Sequence, residues 1–300
     1  MPQGQATIAG MVAILLWSTI VGLIKSVSEG FGAAGGAALI YSGSAILLLF
    51  TIGFPNIRQF PRRYLIIGSM LFVCYELCLS LSLGFTHSGR QAIEVGMVNY
   101  LWPAMTIVLS VIVNRQKCSL LIIPGVVIAV TGVCRVLSGD DGFSLSEITN
   151  NMTDNPLSYG LAFGGAMIWA MYCVFTQKIA QGCNGITLFF ILTALTLWLT
   201  FFFSPQPGFV LSAKVWIDLA LAAMAMGFGY AAWNVGILHG NVTLLAAASY
   251  FIPIISAYLA AFMLSSPLSA AFWQGSAMVS LGSLACWWAT RSVAVKKRAR

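Results

Sequence analysis

Residues Ala92–Val113 read AIEVGMVNYLWPAMTIVLSVIV, an apolar run with Pro103 at its middle. Residues Val242–Leu264 read VTLLAAASYFIPIISAYLAAFML, with Pro253 at the same place. The two prolines are 150 residues apart, and so are Tyr100 and Tyr250, Gly125 and Gly275, and Gly132 and Gly282. Upstream the offset becomes 152: Trp17 matches Trp169, and Gly84-Phe-Thr-His87 matches Gly236-Ile-Leu-His239. A two-residue indel between blocks is ordinary for a divergent duplication. The chain therefore reads as two copies of one unit.

Outward from these two runs, ten apolar segments follow one another: Ala6–Ile24, Ala33–Phe54, Tyr64–Phe85, Ala92–Val113, Leu120–Leu137, Leu157–Phe175, Ile186–Phe203, Val215–Leu238, Val242–Leu264 and Ala270–Ala289. A helix needs roughly 20 apolar residues to cross hydrocarbon. Only helices and closed barrels satisfy their backbone there, and continuous rather than alternating apolar runs exclude barrel strands. The expected fold is an all-α membrane protein with ten transmembrane helices. They divide into a first five-helix repeat at 6–137, an acidic connector at 138–156, a second five-helix repeat at 157–290 and a basic tail at 291–300. An odd number of spans turns the second copy upside down. Such inverted-topology repeats typify secondary transporters and put the substrate near midplane between the repeats.

Composition agrees. The chain is 59% hydrophobic and 8% charged, where soluble proteins carry roughly 25% charged residues. Its net charge of +7 does not predict nucleic-acid binding, because the basic residues sit at the ends of apolar runs. With the N-terminus in the cytoplasm, eleven of the fifteen Lys and Arg fall on the cytoplasmic side and four, Lys25, Arg90, Arg135 and Lys214, fall outside. The positive-inside rule then places both termini in the cytoplasm. The connector, with Asp140, Asp141, Glu147 and Asp154, faces outward. Seven scattered cysteines give neither a metal spacing nor a disulfide framework. No cofactor, metal or direct ATP coupling is expected, since no nucleotide-binding motif occurs. No protease or polyisoprenyl-phosphate constellation appears, so an enzyme is not expected. A carrier leads, with a channel or membrane-embedded enzyme as alternatives. The bilayer is the expected partner, and nothing demands more than a monomer.

The blocks Leu83–Gly132 and Val235–Gly282 resemble the EamA-type repeat of the drug/metabolite transporter superfamily. That repeat has a proline partway down its fourth helix and a glycine-bearing fifth, here Pro124-Gly-Val-Val-Ile-Ala-Val-Thr-Gly132 and Gln274-Gly-Ser-Ala-Met-Val-Ser-Leu-Gly282. More narrowly, Cys74-Tyr-Glu-Leu-Cys78 with Val98-Asn-Tyr-Leu-Trp-Pro103 resembles the aromatic amino acid exporters of that superfamily. The resemblance implies an inner-membrane exporter of Phe, Tyr and Trp, or a broader drug/metabolite exporter of the same fold. The family's glutamate at the end of the fourth helix has no counterpart here; the equivalent positions are Gln116 and Ser266.

Several residues are candidates for the work. Pro103 and Pro253 kink their helices by removing a backbone hydrogen bond; they read as paired hinges or as static kinks that shape packing. Trp17 and Trp169 fall near midspan, where an indole N–H needs a partner that lipid cannot supply. With Trp102, Tyr75, Tyr100 and Tyr250 they would form an aromatic cage able to stack planar rings and hold an ammonium; the alternative is helix packing. Tyr230, Trp233 and Asn234 share one helical face, as do Glu76, Ser80 and His87, and Asn99, Trp102 and Pro103. Glu76 stands halfway along its span, where an ionised carboxylate costs at least ~2.5–3.5 kcal/mol. It would receive a substrate ammonium, carry a proton, or serve as a hydrogen-bonded structural acid. His87, Arg90 and Glu94 form a gate or a solvated loop cluster. Lys25 reads as a snorkelling residue. The glycines at 125, 132, 275 and 282, seven apart in each helix, read as packing residues.

Overall fold

The computed structural model describes residues 1–115, 118–139, 143–204, 209–210 and 212–298. Gln116, Lys117, Asp140, Asp141 and the side chains of the basic tail lie outside the described residues. The chain is helical throughout, with no strand among the described residues. Helices form wherever the apolar runs predict them. They are α1 (Gln3–Ser18), α2 (Ile20–Phe31), α3 (Ala33–Thr51), α4 (Ser69–Gly84), α5 (Gly89–Asn99), α6 (Trp102–Asn114) and α7 (Ile122–Leu137) in the first half. The second half holds α8 (Leu145–Asp154), α9 (Pro156–Ile179), α10 (Ile186–Phe203), α11 (Ala213–His239), α12 (Val242–Ser249), α13 (Ile252–Met263) and α14 (Ala270–Arg298). Tyr64–Gly68 is a wide-turn helical segment leading into α4.

Among the described residues, six helical segments are long and apolar enough to cross a membrane, and seven if α1 and α2, bent by 41° at Thr19, count as one. Many large apolar side chains face outward, among them Phe50, Phe203 and Leu120. In water such a surface would associate; in a bilayer it meets acyl chains. The connector is not a plain loop, since it contains α8, capped by the Ser144 hydroxyl accepting from the Glu147 N–H.

The broken runs explain how the interior is built. Pro103 and Pro253 sit in the first turn of α6 and α13, not in a helix interior. A proline is tolerated there because that N–H has no intrahelical partner in any case. The break therefore falls on the preceding residues, Tyr100–Leu101 and Tyr250–Phe251. The α1–α2 break has neither proline nor glycine; the Thr19 hydroxyl donates to the Leu16 carbonyl at 2.7 Å.

Packing is pairwise. α1 runs along α11 and α4 along α9, α3 packs on α10 and α11, and α7 packs on α14. The last pair is held at backbone distance by the four glycines. A Cβ on Gly132 would stand 2.7 Å from the Gly275 carbonyl oxygen, and one on Gly282 would stand 2.5 Å from the Ala129 nitrogen. Their packing role is thus visible in the geometry.

Candidate functional site

The broken ends of α1–α2, α5–α6 and α12–α13 meet α4, α9 and α11 around a cavity of about 240 Å³. That is just under the roughly 300–1,000 Å³ of drug-sized ligand pockets, and it suits a small metabolite. Trp17, Tyr75, Asn99, Tyr100, Trp102, Trp169, Tyr230 and Trp233, all expected at a binding site, line it together. Ile20, Val21, Leu79, Gly96, Cys173, Met226, Ser249 and Ile252 complete the wall. These last are small or aliphatic residues within apolar runs, and nothing in the sequence separates them from ordinary core.

The rings form two groups. Trp169 stacks on Tyr172 with centroids 4.9 Å apart, lies 4.4 Å from Tyr75 and meets Trp102 edge-on at 6.3 Å. Across the cavity Trp17 lies 5.0 Å from Tyr230 and 5.2 Å from Trp233. Phe72 bridges them, within ring contact of both Trp169 and Tyr230. Phe72 went unpredicted, because one more phenylalanine in an apolar run carries no pattern. Aromatic pairs of this kind contribute about 0.5–1.5 kcal/mol beyond their burial. The polar atoms are few: Asn99 donates its amide to the Ala162 carbonyl at 3.3 Å, pinning α5 to α9.

Glu76, Asn234 and Tyr250 are not brought into the cavity wall. Glu76 is fully buried behind it. Its Oε2 accepts from the Tyr41 hydroxyl at 2.5 Å and its Oε1 from the Tyr230 hydroxyl at 2.7 Å. Ser80 in turn donates to the Tyr41 oxygen at 3.2 Å. Both carboxyl oxygens are therefore engaged by phenols, and of these two partners Tyr230 lines the cavity. Tyr250 is buried next to Trp287 instead.

His87 lies beyond the end of α4, so it shares no helical face with Glu76 and Ser80. With Arg90 and Glu94 it belongs to a polar cluster at the connector end of the bundle. Arg90 pairs with Glu94 at 3.1 Å, and Tyr159 donates to Glu94 at 3.1 Å. His87 lies 3.6 Å from Asp154, while Gln91 donates to Asp154 at 3.1 Å and accepts from Asn155 at 3.0 Å. None of the three lines the cavity. Lys25 does not snorkel: it is 4% exposed and donates to the Thr86 carbonyl at 2.5 Å. It joins α2 to the α4–α5 turn.

Comparison with known proteins places this geometry. The profile of the EamA-like transporter family matches residues 156–288. The aromatic amino acid exporter YddG of Salmonella typhimurium is 60% identical over 291 residues, covering 97% of this chain and 99% of its own. The chain belongs to the EamA-like transporter family. YddG of Escherichia coli K12 is 58% identical over the same coverage, and YddG of Ancylobacter novellus is 25% identical over 276 residues, 86% of this chain and 88% of its own. A solved crystal structure shares the fold with a TM-score of 0.68 at 20% identity, covering 97% of this chain and 99% of its own. Membership of the EamA-like family, with the apolar helices, makes this a multi-pass membrane transporter.

Proposed function

We propose that this chain exports Phe, Tyr and Trp across the inner membrane by alternating access. The observation that carries the reading is the cavity walled by indole and phenol rings from both halves of the chain. Its chemistry suits a planar aromatic side chain, and the relatives that match nearly the whole chain are named aromatic amino acid exporters.

The proposed frame is ten spans in two inverted repeats, with both termini in the cytoplasm. Several pairings support it. Exchanging the halves carries the α1–α11 contact onto the α4–α9 contact and leaves the α3–α10 and α7–α14 contacts in place. Lining positions also come in repeat pairs: Trp17 with Trp169, Val21 with Cys173, Asn99 with Ser249, and Trp102 with Ile252. Equivalent loops lie at opposite ends. Gln59 accepts from Cys183 at one end, whereas Val210 donates to the Gly30 carbonyl at the other. Broken helices at a central site are the usual device of such carriers. In this reading Pro103 and Pro253 mark the hinges, the cavity-lining rings hold the substrate, and the His87–Arg90–Glu94 cluster closes the outer end. The protein works as a monomer.

The test is competition uptake into proteoliposomes by all amino acids, with and without a pH gradient. Labelled Phe, Tyr and Trp are expected to accumulate above empty liposomes and to compete with one another. Flux no higher than in empty liposomes defeats the reading, and equal competition by unrelated planar cations favours a broad metabolite exporter instead.

A further inference from the structure

Gly229 lies on α11, one residue before Tyr230, and takes no part in the roles assigned above. A Cβ built there would stand 2.7 Å from Nε1 of Trp17 and 2.9 Å from its Cδ1. Real Cβ atoms do not approach so closely, so the absence of a side chain at 229 is what lets the Trp17 indole rest on α11. The ring is also confined along the helix. Tyr230 meets it edge-on at 5.0 Å and Trp233 is tilted against it at 5.2 Å. With the helix below and two rings packed against it, the space that Trp17 can move into is the cavity that it already lines. Nor does a hydrogen bond hold it back, since its buried indole N–H has no hydrogen-bond partner among the described residues.

The other half is built differently. Trp169, the repeat partner of Trp17, is fixed by stacking on Tyr172 and by a tilted ring contact with Tyr75. The residue matching Gly229 at the 152-residue offset is Leu77. Only one of the two central tryptophans therefore rests on a glycine, and its position sets the depth of one wall.

We propose that Gly229 determines specificity: it seats Trp17 deep enough for the largest aromatic side chain, an indole, to fit. Filling the seat advances the Trp17 ring into the cavity, which penalises tryptophan more than phenylalanine. This inference rests on the substrate reading proposed above. Gly229 is a positioning residue, acting through Trp17.

The test uses purified full-length protein in proteoliposomes and reads half-saturation for tryptophan and for phenylalanine. Gly229→Ala is expected to raise the tryptophan-to-phenylalanine ratio of half-saturation values at least tenfold. Gly164→Ala, on α9 with open space around its Cβ position, is expected to leave the ratio unchanged. Adding Trp17→Phe to Gly229→Ala is expected to bring the ratio back toward wild type, since a smaller ring makes room. An unmoved ratio in Gly229→Ala, an equal loss for both substrates, or no recovery in the double variant overturns the inference. A wild type that moves none of the three amino acids defeats the substrate reading instead. The seat is then judged by the fluorescence that Trp17 contributes, taken as the difference between each protein and its Trp17→Phe derivative. An identical contribution with and without Gly229→Ala overturns the seat.

Discussion

Glu76 is a carboxyl group at membrane depth whose partners among the described residues are two phenols and no cation. Its isolation was legible in the sequence, because a charge halfway along an apolar run is costly wherever it faces. Its partners were not. Tyr41 sits in a run with no polar periodicity, and which residue of a neighbouring helix it meets is a matter of packing register. Beside the three expected roles, substrate contact, proton carriage and a hydrogen-bonded structural acid, the bond from Tyr230 adds a testable fourth, orientation of that ring. Glu76→Gln keeps the shape but replaces one acceptor oxygen with an N–H2 donor facing a phenol donor. The phenol facing the N–H2 must accept and send its own proton elsewhere, and Tyr230, which lines the cavity, is the one with room to do so. Uptake kinetics are expected to show KM raised several-fold, with the melting temperature in detergent within a few degrees of wild type. An unchanged KM with a large fall in melting temperature would leave Glu76 a purely structural acid. Tyr41→Phe leaves one buried carboxyl oxygen without its phenol donor, at about 1–3 kcal/mol, and is expected to lower the melting temperature more than Glu76→Gln does.

At the scale of the element, proline and glycine gave the clearest signals, and the structure refines both. The prolines do not kink continuous helices; they open α6 and α13, with the break just before them. The comparable break at Thr19 escaped sequence reading, since it has no residue that forces it. Pro103→Ala restores an N–H able to bond the Asn99 carbonyl and to join α5 to α6. If the break is a hinge, the melting temperature should stay at or above wild type while flux falls at least tenfold. Wild-type flux through Pro103→Ala and Pro253→Ala alike reduces both to static kinks. The glycines behave oppositely. On the α7–α14 seam a side chain at 132 or 282 meets backbone, which cannot rotate away. Gly282→Val is expected to cost about 1–3 kcal/mol by overpacking, read as a lower melting temperature, with the tryptophan-to-phenylalanine preference unchanged.

At the scale of the whole molecule, the apolar runs located every long helix, because length and hydropathy are carried by the sequence itself. The cavity emerged only from the fold: half its wall is small or aliphatic, and those positions gain meaning by facing one another. Breaks at Thr19 and at Tyr250–Phe251 divide two of the apolar runs into shorter helices. Orientation is then the property that the charge count predicts and that sided chemistry decides. Gln59 and Cys183 are in contact at one end of the bundle, next to exposed Gln181. Gly89 and Ser266 are in contact at the other, next to exposed Ser265. By the positive-inside rule, eleven basic residues against four predict that the first end faces the cytoplasm. Single cysteines at 59 and 181, in a background without the native cysteines, should therefore resist an impermeant maleimide added to intact cells and react after permeabilisation. Cysteines at 146 and 265 should react without it. The pair at 59 and 181 belongs to different halves, and so does the pair at 146 and 265 if the connector closes the first repeat. Labelling that splits either pair between the two faces breaks the ten-span inverted frame, and labelling of all four with sides exchanged keeps the frame but turns the carrier over.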